Sequence, residues 1–282
     1  MTEAALAATS LAFRGGRFVA IGRAVPAETA VAISINGSTH AVMMATPANI
    51  EDLGIGLALN EGIVASPEEI ERLEIVETDI GLDCQLWLSE DRGQTYTARR
   101  RQMTGPVGCG LCGVESLALA TRELPVVADD LTITPEAIVA AVAAMACEQA
   151  LGRKTRAVHA AAFHRACKST LVVTREDVGR HNALDKVAGA LAQQGVDPAS
   201  GFLTITSRVS VELIQKAAMM GCGLIAAVSV PSALAIAEAE ASGITLIAVV
   251  RGDEFEIFTH PGRIVGAPAA PSAVLDETSH AA

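Results

Sequence analysis

From about residue 157 onward the chain alternates short, uninterrupted apolar runs with helix-like segments, and this alternation restricts the fold more than any other feature. Residues 157–163, 169–174, 202–206, 224–230, 244–250 and 254–258 read as strands. Between them, 181–194 reads as a helix stopped by Gly195, with further helices over 211–220 and 232–241. Strands that are apolar throughout need apolar neighbours on both faces, so the sheet must be covered on both sides. The second half is therefore expected to be α/β.

The first half follows other signals. Residues 31–35 and 39–45 are β-type runs joined by Asn36-Gly37, a hairpin signal. Thr46-Pro47 is expected to open a helix to about Asn60, with threonine as N-cap, proline at N1 and Gly62 past the end. Ser66-Pro67-Glu68-Glu69 repeats the device in capping-box register. Residues 73–78 and 84–88 read as further strands, and Glu90 to Gly108 as a polar, basic, mobile approach to a cysteine-bearing loop. Thr134-Pro135-Glu136 is expected to start a helix running to about Leu151. The organisation expected is a flexible arm (1–25), an N-terminal α+β subdomain (26–130), an α/β core (131–262) and a disordered Pro/Ala/Ser-rich tail (263–282).

Composition excludes some functions. Half of the 282 residues are apolar and aromatics make up 3%, so the core must be built from Ala, Val, Ile and Leu. A net charge of −11 argues against a general nucleic-acid or anionic-membrane binder, which needs a basic footprint. Residues 217–237 carry no charge over a membrane-spanning length, but Gly221, Gly223 and Pro231 divide them into helix end, strand and new helix. Met1 to Ser10 has no basic region and too short an apolar run for a signal peptide. Of six cysteines only Cys109 and Cys112 are close, which suits a reducing compartment rather than a disulfide framework.

That pair sits in Gly105-Pro106-Val107-Gly108-Cys109-Gly110-Leu111-Cys112-Gly113, a glycine-rich loop preceded by Arg99-Arg100-Arg101 and followed by a predicted helix over 114–124. Cations on one side and a helix N-terminus on the other both favour thiolate over thiol. Three chemistries suit such a pair. A structural zinc site needs four ligands, and no second closely spaced Cys/His pair is present. A thiol–disulfide oxidoreductase pair and a persulfide relay remain open on the residues alone.

Three further clusters fall at expected strand ends, the side of an α/β sheet where ligands bind. Arg175-Glu176-Asp177-Val178-Gly179-Arg180-His181-Asn182-Ala183-Leu184-Asp185-Lys186 is denser in polar groups than helix capping requires. Thr206-Ser207-Arg208-Val209-Ser210-Val211-Glu212 places Arg208 before a helix N-terminus, where a phosphate could bind. Val249, Val250, Arg251, Gly252, Asp253 and Glu254 form the turn between the last two strands and, taken alone, read as a plain hairpin.

Taken together, Gly108-Cys109-Gly110-Leu111-Cys112-Gly113 and Glu176 through Lys186 resemble the FdhD family of formate dehydrogenase accessory sulfurtransferases. Val42 to Pro47, Asn60-Glu61-Gly62-Ile63, Ser207-Arg208 with Ser210 and Glu212, and Thr259-His260-Pro261 match it in order. Two departures stand out. Thr155 is followed by Arg156-Ala157 where the family usually has two glycines, and the glycine usual between Ser207 and Arg208 is missing.

The resemblance implies a cytoplasmic homodimer whose core is a three-layer sandwich similar to cytidine deaminase. It implies a sulfur carrier that takes persulfide sulfur from a cysteine desulfurase on Cys109, with Cys112 as the second cysteine. The acceptor implied is Mo-bis(molybdopterin guanine dinucleotide), or its tungsten counterpart, before insertion into formate dehydrogenase. The family's cofactor-binding segment falls on Val249, Val250, Arg251, Gly252, Asp253 and Glu254, and Arg180, Arg208 and Arg251 are candidate phosphate contacts. No metal site is expected, because no His is followed by the x-Glu of a zinc deaminase and Pro-Cys-x-x-Cys is absent. The rival readings are a thiol–disulfide oxidoreductase using both cysteines and a non-catalytic cofactor chaperone.

Overall fold

The computed structural model describes residues 3–100, 124–127 and 131–268. The six-stranded sheet announced by the apolar runs has the order β12-β11-β10-β9-β7-β8. Its strands are β7 (His159–Arg165), β8 (Thr170–Asp177), β9 (Gly201–Ile205), β10 (Leu224–Ala227), β11 (Thr245–Arg251) and β12 (Glu254–Ile257). β9, β10 and β11 run parallel, while β7 lies antiparallel to both β9 and β8.

Both faces are covered. On one lie α5 (Arg180–Gln193), α6 (Val211–Met220) and α7 (Ala233–Ala241), whose Leu184, Leu213 and Ala235 pack on Phe163, Leu203, Ile205 and Ile225. On the other lies α3 (Pro135–Glu148), whose Ile138 and Ala141 meet Phe202, Leu224, Ala226 and Ile247. Alternate residues of one strand thus serve opposite layers, which is why these strands are apolar throughout. Thr134 caps α3 as expected, its side chain accepting from Ala137 N. The helix ends at Glu148 rather than near Leu151, and a separate helix α4 (Ala150–Thr155) comes next.

A second sheet has the order β4-β3-β6-β5, from β3 (Thr29–Ile35), β4 (Ser38–Ala45), β5 (Ile70–Thr78) and β6 (Gly81–Leu88). Asn36 and Gly37 turn with φ of 48° and 77°, the left-handed pair that the hairpin signal requires. Val31, Ile33, Leu82, Cys84 and Leu86 face α1 (Ile50–Asn60), and α1 in turn lies against α5 of the other sheet. The helices touch through glycines. A Cβ at Gly56 would lie 1.8 Å from Asp185 O, and one at Gly189 2.0 Å from Asp52 O. The described residues are therefore a mixed α/β structure in which an α1–α5 seam joins two sheets.

Four expectations are corrected. Residues 5–25 are not a loose arm: β1 (Ala5–Arg14) and β2 (Arg17–Pro26) pair along ten residues each. Gly15 and Gly16 both take positive φ, and the tight turn brings Phe13 onto Phe18 with ring centroids 5.2 Å apart. Glu90–Arg100 is a helix, α2, rather than a mobile stretch, because Tyr96 is buried and Arg92 donates to the carbonyls of Ile63 (2.5 Å) and Gly62 (2.8 Å). Thr46 does not cap α1, whose N-cap is Asn49 at φ 54°. The tail does not begin at 263: Ile264 is 3% exposed, and Ile133 N donates to Arg263 O at 2.8 Å. Residues 269–282 lie outside the described residues. Among the described residues no helix is long and apolar enough to cross a membrane.

Candidate functional site

The strand directions gather the predicted clusters on one edge of the six-stranded sheet. The carboxyl ends of β8, β9, β10 and β11 all reach it, together with the start of β7 at His159, which pairs with Asp177. Thr206 closes β9 against β7, accepting from Ala160 N at 2.9 Å and donating its own N–H to Ala160 O at 3.0 Å.

Within the Glu176–Lys186 run the residues divide. Asp177 and Lys186 are fully buried and 2.5 Å apart. Asp177 also accepts from Gly179 N (2.7 Å), Asn182 Nδ2 (3.0 Å) and Thr46 N (3.1 Å), while Lys186 donates to Thr46 O (3.0 Å). Val178 N donates to the Thr46 hydroxyl at 3.2 Å, and Asn182 Nδ2 to Met44 O at 2.9 Å. This explains why Thr46 does not cap a helix: it is tied to β8 and α5. Burial lowers the Lys186 ammonium from the usual lysine range, and the Asp177 carboxylate opposes that shift.

A second knot joins three helices. Asp185 on α5 accepts from Asn60 Nδ2 of α1 (2.7 Å) and from Lys216 Nζ of α6 (2.8 and 2.9 Å). Burial raises the Asp185 carboxyl, against the pull of Lys216. Across the same seam Asp52 accepts from Arg175 Nε (2.6 Å) and Gln193 Nε2 (2.5 Å). Glu176 accepts from Leu151 N (2.8 Å) and Gly152 N (2.6 Å) at the start of α4. These residues hold the two sheets in register.

Arg180, His181 and the β9–α6 residues face the edge instead. His181 Nε2 lies 3.4 Å from Ser210 Oγ and 3.9 Å from Glu212 Oε2. Burial, then the Arg180 and Lys216 cations, push the His181 imidazole down to about 4, so it is neutral near pH 7. His159 is lowered by burial and by Arg180, with Arg208 adding to the effect. Burial alone would raise Glu212, but the Ser210 hydroxyl, its own backbone amide, His181 and Arg180 outweigh it and lower it. Arg180 Nε and Glu212 Oε2 are buried atoms with no hydrogen-bond partner. The result is a compact group of two arginines, two imidazoles and one carboxylate with an unused donor and an unused acceptor, suited to a polar, anionic ligand.

The fourth cluster lies farther along the same edge. β10 separates β9 from β11, which therefore lie about 10 Å, two strand spacings, apart, and Arg251 stands three residues past Ala248, the β11 residue level with the end of β9. Val249 has φ 56°, a costly conformation for a β-branched residue, at the register shift between Ala248 and Arg251. Arg251, Gly252, Asp253 and Glu254 are exposed, while Val250 is buried. Thr259-His260-Pro261, which also matches the family pattern, lies at the opposite edge. There Thr259 Oγ1 donates to Ile244 O (2.7 Å) and accepts from Leu246 N (2.9 Å), before the start of β11.

Cys109 and Cys112 fall outside the described residues, as do positions 114–123 of the predicted helix; Leu124 is described, is not helical, and packs against the core. Among the described cysteines, Cys84 is buried and pushed up to about 12 by burial and then by Asp83, whereas Cys147 and Cys167 are exposed. No group of His, Cys, Asp and Glu among the described residues could hold a metal ion. Sequence reasoning overlooked Lys216 and the Tyr96–His40–Glu61 chain (3.0 and 2.8 Å) that helps dock α2. Lys216 reads as an ordinary surface lysine, and only the topology reveals Asp185 beneath it.

The fold is a mixed α/β structure whose six-stranded sheet gathers Arg180, His181, Arg208 and Glu212 at one edge. Residues 26–265 match the FdhD/NarQ family model, and the chain belongs to that family. It is 50% identical over 244 residues to the sulfur carrier protein FdhD of Agrobacterium fabrum, covering 86% of this chain and 90% of that one. It is 51% identical over 256 residues to the sulfur carrier protein FdhD of Brucella abortus, covering 90% and 95%. The fold is shared with a crystal structure from Desulfotalea psychrophila assigned as a formate dehydrogenase accessory protein. The TM-score is 0.73 at 24% identity, over 93% of this chain and all of that one.

Proposed function

We propose that this protein is a cytoplasmic sulfur carrier serving formate dehydrogenase. The Cys109 thiolate attacks the outer sulfur of a persulfide on a cysteine desulfurase. A new S–S bond forms on Cys109, the donor's S–S bond breaks, and the donor cysteine leaves as thiolate. Cys112 supplies a second thiol that assists release of the held sulfur or protects it. The acceptor is a substrate, Mo-bis(molybdopterin guanine dinucleotide). Its nucleotide phosphates lie along the sheet edge, on Arg180 and Arg208 and on the turn of Val249, Val250, Arg251, Gly252, Asp253 and Glu254.

The observation that carries this reading is the family match across residues 26–265, a span that includes both the cysteine pair and the sheet edge. The names of the relatives supply the sulfur chemistry, and the unused donor on Arg180 supports an anion on the edge. The test is maturation of formate dehydrogenase in cells carrying only Cys109→Ser. Loss of formate dehydrogenase activity is expected, and full activity would remove Cys109 from the account. A Cys112→Ser variant with partial activity fits a carrier, whereas equal loss in both single variants points to a dithiol oxidoreductase.

A further inference from the structure

The four-stranded sheet buries one face against α1, through Val31, Ile33, Cys84 and Leu86. Register sets the composition of the other. Val42, Ala32, Asp83 and Val76 stand in one row across the four strands, with Met44 and Ala30 beside them in the next. Val42, Met44 and Val76 are 54%, 49% and 38% exposed, and Ile80 at the β5–β6 turn is 89% exposed. A contiguous bare apolar surface of this kind marks an interaction site.

Polar atoms lie unused in its middle. Gln85 Nε2 donates to Asp83 Oδ2 at 2.8 Å, but Asp83 Oδ1 is buried with no hydrogen-bond partner. Farther along the same face of β6, the indole Nε1 of Trp87 is also buried and unpartnered. Arg72 is engaged elsewhere: its guanidinium lies 4.7 Å from the Trp87 ring centroid and 3.5 Å from Glu74 Oε1. Buried donors and acceptors are nearly always satisfied, so two open ones on a single bare face point to a binding partner.

The charge beside this face has one sign. The free edge strand β5 and its turn carry Glu71, Glu74 and Asp79, all exposed. Arg72 is the only cation in residues 70–89.

We propose that the outer face of the four-stranded sheet docks a basic amphipathic segment of a partner protein. Apolar side chains of that segment cover Val42, Met44 and Val76. An arginine among them donates to Asp83 Oδ1, a backbone carbonyl accepts from Trp87 Nε1, and further cations meet the β5 edge. A purely apolar segment would leave Asp83 Oδ1 unpaired and an acidic one would be repelled, which makes the face selective. The arginine-bearing ligand edge belongs to the six-stranded sheet, so docking takes nothing from it.

Trp87 is the only tryptophan of the chain, so its fluorescence reports on this face directly. The full chain would be titrated with a synthetic amphipathic peptide carrying one arginine within its leucine stripe and lysines on its flanks. The Trp87 emission is expected to shift with a micromolar dissociation constant that rises with salt. Asp83→Asn, which keeps the side chain's shape, should weaken binding about tenfold. Val42→Ser with Val76→Ser should weaken it roughly 10–100-fold, with circular dichroism to verify folding. A peptide with glutamate in place of the arginine should not bind the wild-type chain. No emission change up to about 1 mM peptide would overturn the proposal. So would equal binding of the glutamate peptide, or unchanged affinity in Asp83→Asn. A Trp87 emission that changes on dilution of the chain alone would overturn it too, since a second copy would then cover the face.

Discussion

Asp177 and Arg180 stand three positions apart in one polar run, yet their surroundings differ in kind. Asp177 is sealed, with Lys186, Asn182, Gly179 N and Thr46 N around its carboxylate. Arg180 begins α5 at the sheet edge with its Nε unused and the two imidazoles of His159 and His181 beside it. The same contrast separates Asp185, held by Asn60 and Lys216, from Glu212, whose Oε2 has no hydrogen-bond donor. A dense polar motif therefore need not be a single site. Here it is half anchor and half binding surface, and the anchor fixes the height at which α5 presents the surface.

The sharpest way to break this comparison is to open the sealed half. Lys186→Met should destabilise the fold by about 3–5 kcal/mol, since it leaves the Asp177 carboxylate buried without its counter-charge. Adding Asp177→Asn should recover part of that loss. Urea unfolding measures both, and a loss under about 1 kcal/mol for Lys186→Met would mean that Asp177 finds water or another partner.

The open half should respond in the opposite way. Arg180→Gln and Arg208→Gln are expected to leave stability within about 0.5 kcal/mol. Each should weaken binding of guanosine diphosphate, used as a stand-in for the cofactor's nucleotide, by roughly 10–100-fold through loss of a charge-assisted contact. Calorimetric titration would show this. Unchanged affinity in both variants would move the phosphates elsewhere along the edge.

The smallest effect concerns pH. His164 and His181 are both held near a pKa of about 4, chiefly by burial, and in the unfolded chain they titrate near the ordinary histidine value of 6.5. Between those values the unfolded state binds more protons, so stability is complete above about pH 6.5 and falls as pH drops toward 4. Each imidazole contributes a slope of up to about 1.4 kcal/mol per pH unit. His181→Asn should remove one such contribution from the acid limb of a stability profile; an unchanged limb would mean that His181 titrates normally.

The fold was largely legible where chain periodicity and burial coincide. The apolar runs that become β9, β10 and β11 and the Asn36-Gly37 turn needed nothing from the rest of the molecule. The misreadings came where a local signal met a stronger tertiary partner. Thr46-Pro47 looks like a helix start, but Asp177, 131 residues away, takes the Thr46 amide. The segment 90–100 is polar enough to suggest a loop, yet Tyr96 and Arg92 dock it as α2. Residues 5–25 alternate too weakly to announce strands, and only Gly15-Gly16 marked the turn. In the candidate site, the arginines could be picked out by their place at strand ends. The division of the Glu176–Lys186 run could not, because it depends on α1 and α6 arriving from distant parts of the chain.

The central claim is that Cys109 carries sulfur, and one experiment addresses it directly. The protein would be incubated with a cysteine desulfurase and cysteine, then analysed by intact and peptide mass spectrometry without reductant. Exposed Cys147 and Cys167 serve as internal controls for unspecific reaction. The account predicts an adduct of about one sulfur atom on the Cys109 peptide, absent in Cys109→Ser. A Cys109–Cys112 disulfide with no sulfur adduct would contradict it and assign the pair to redox chemistry.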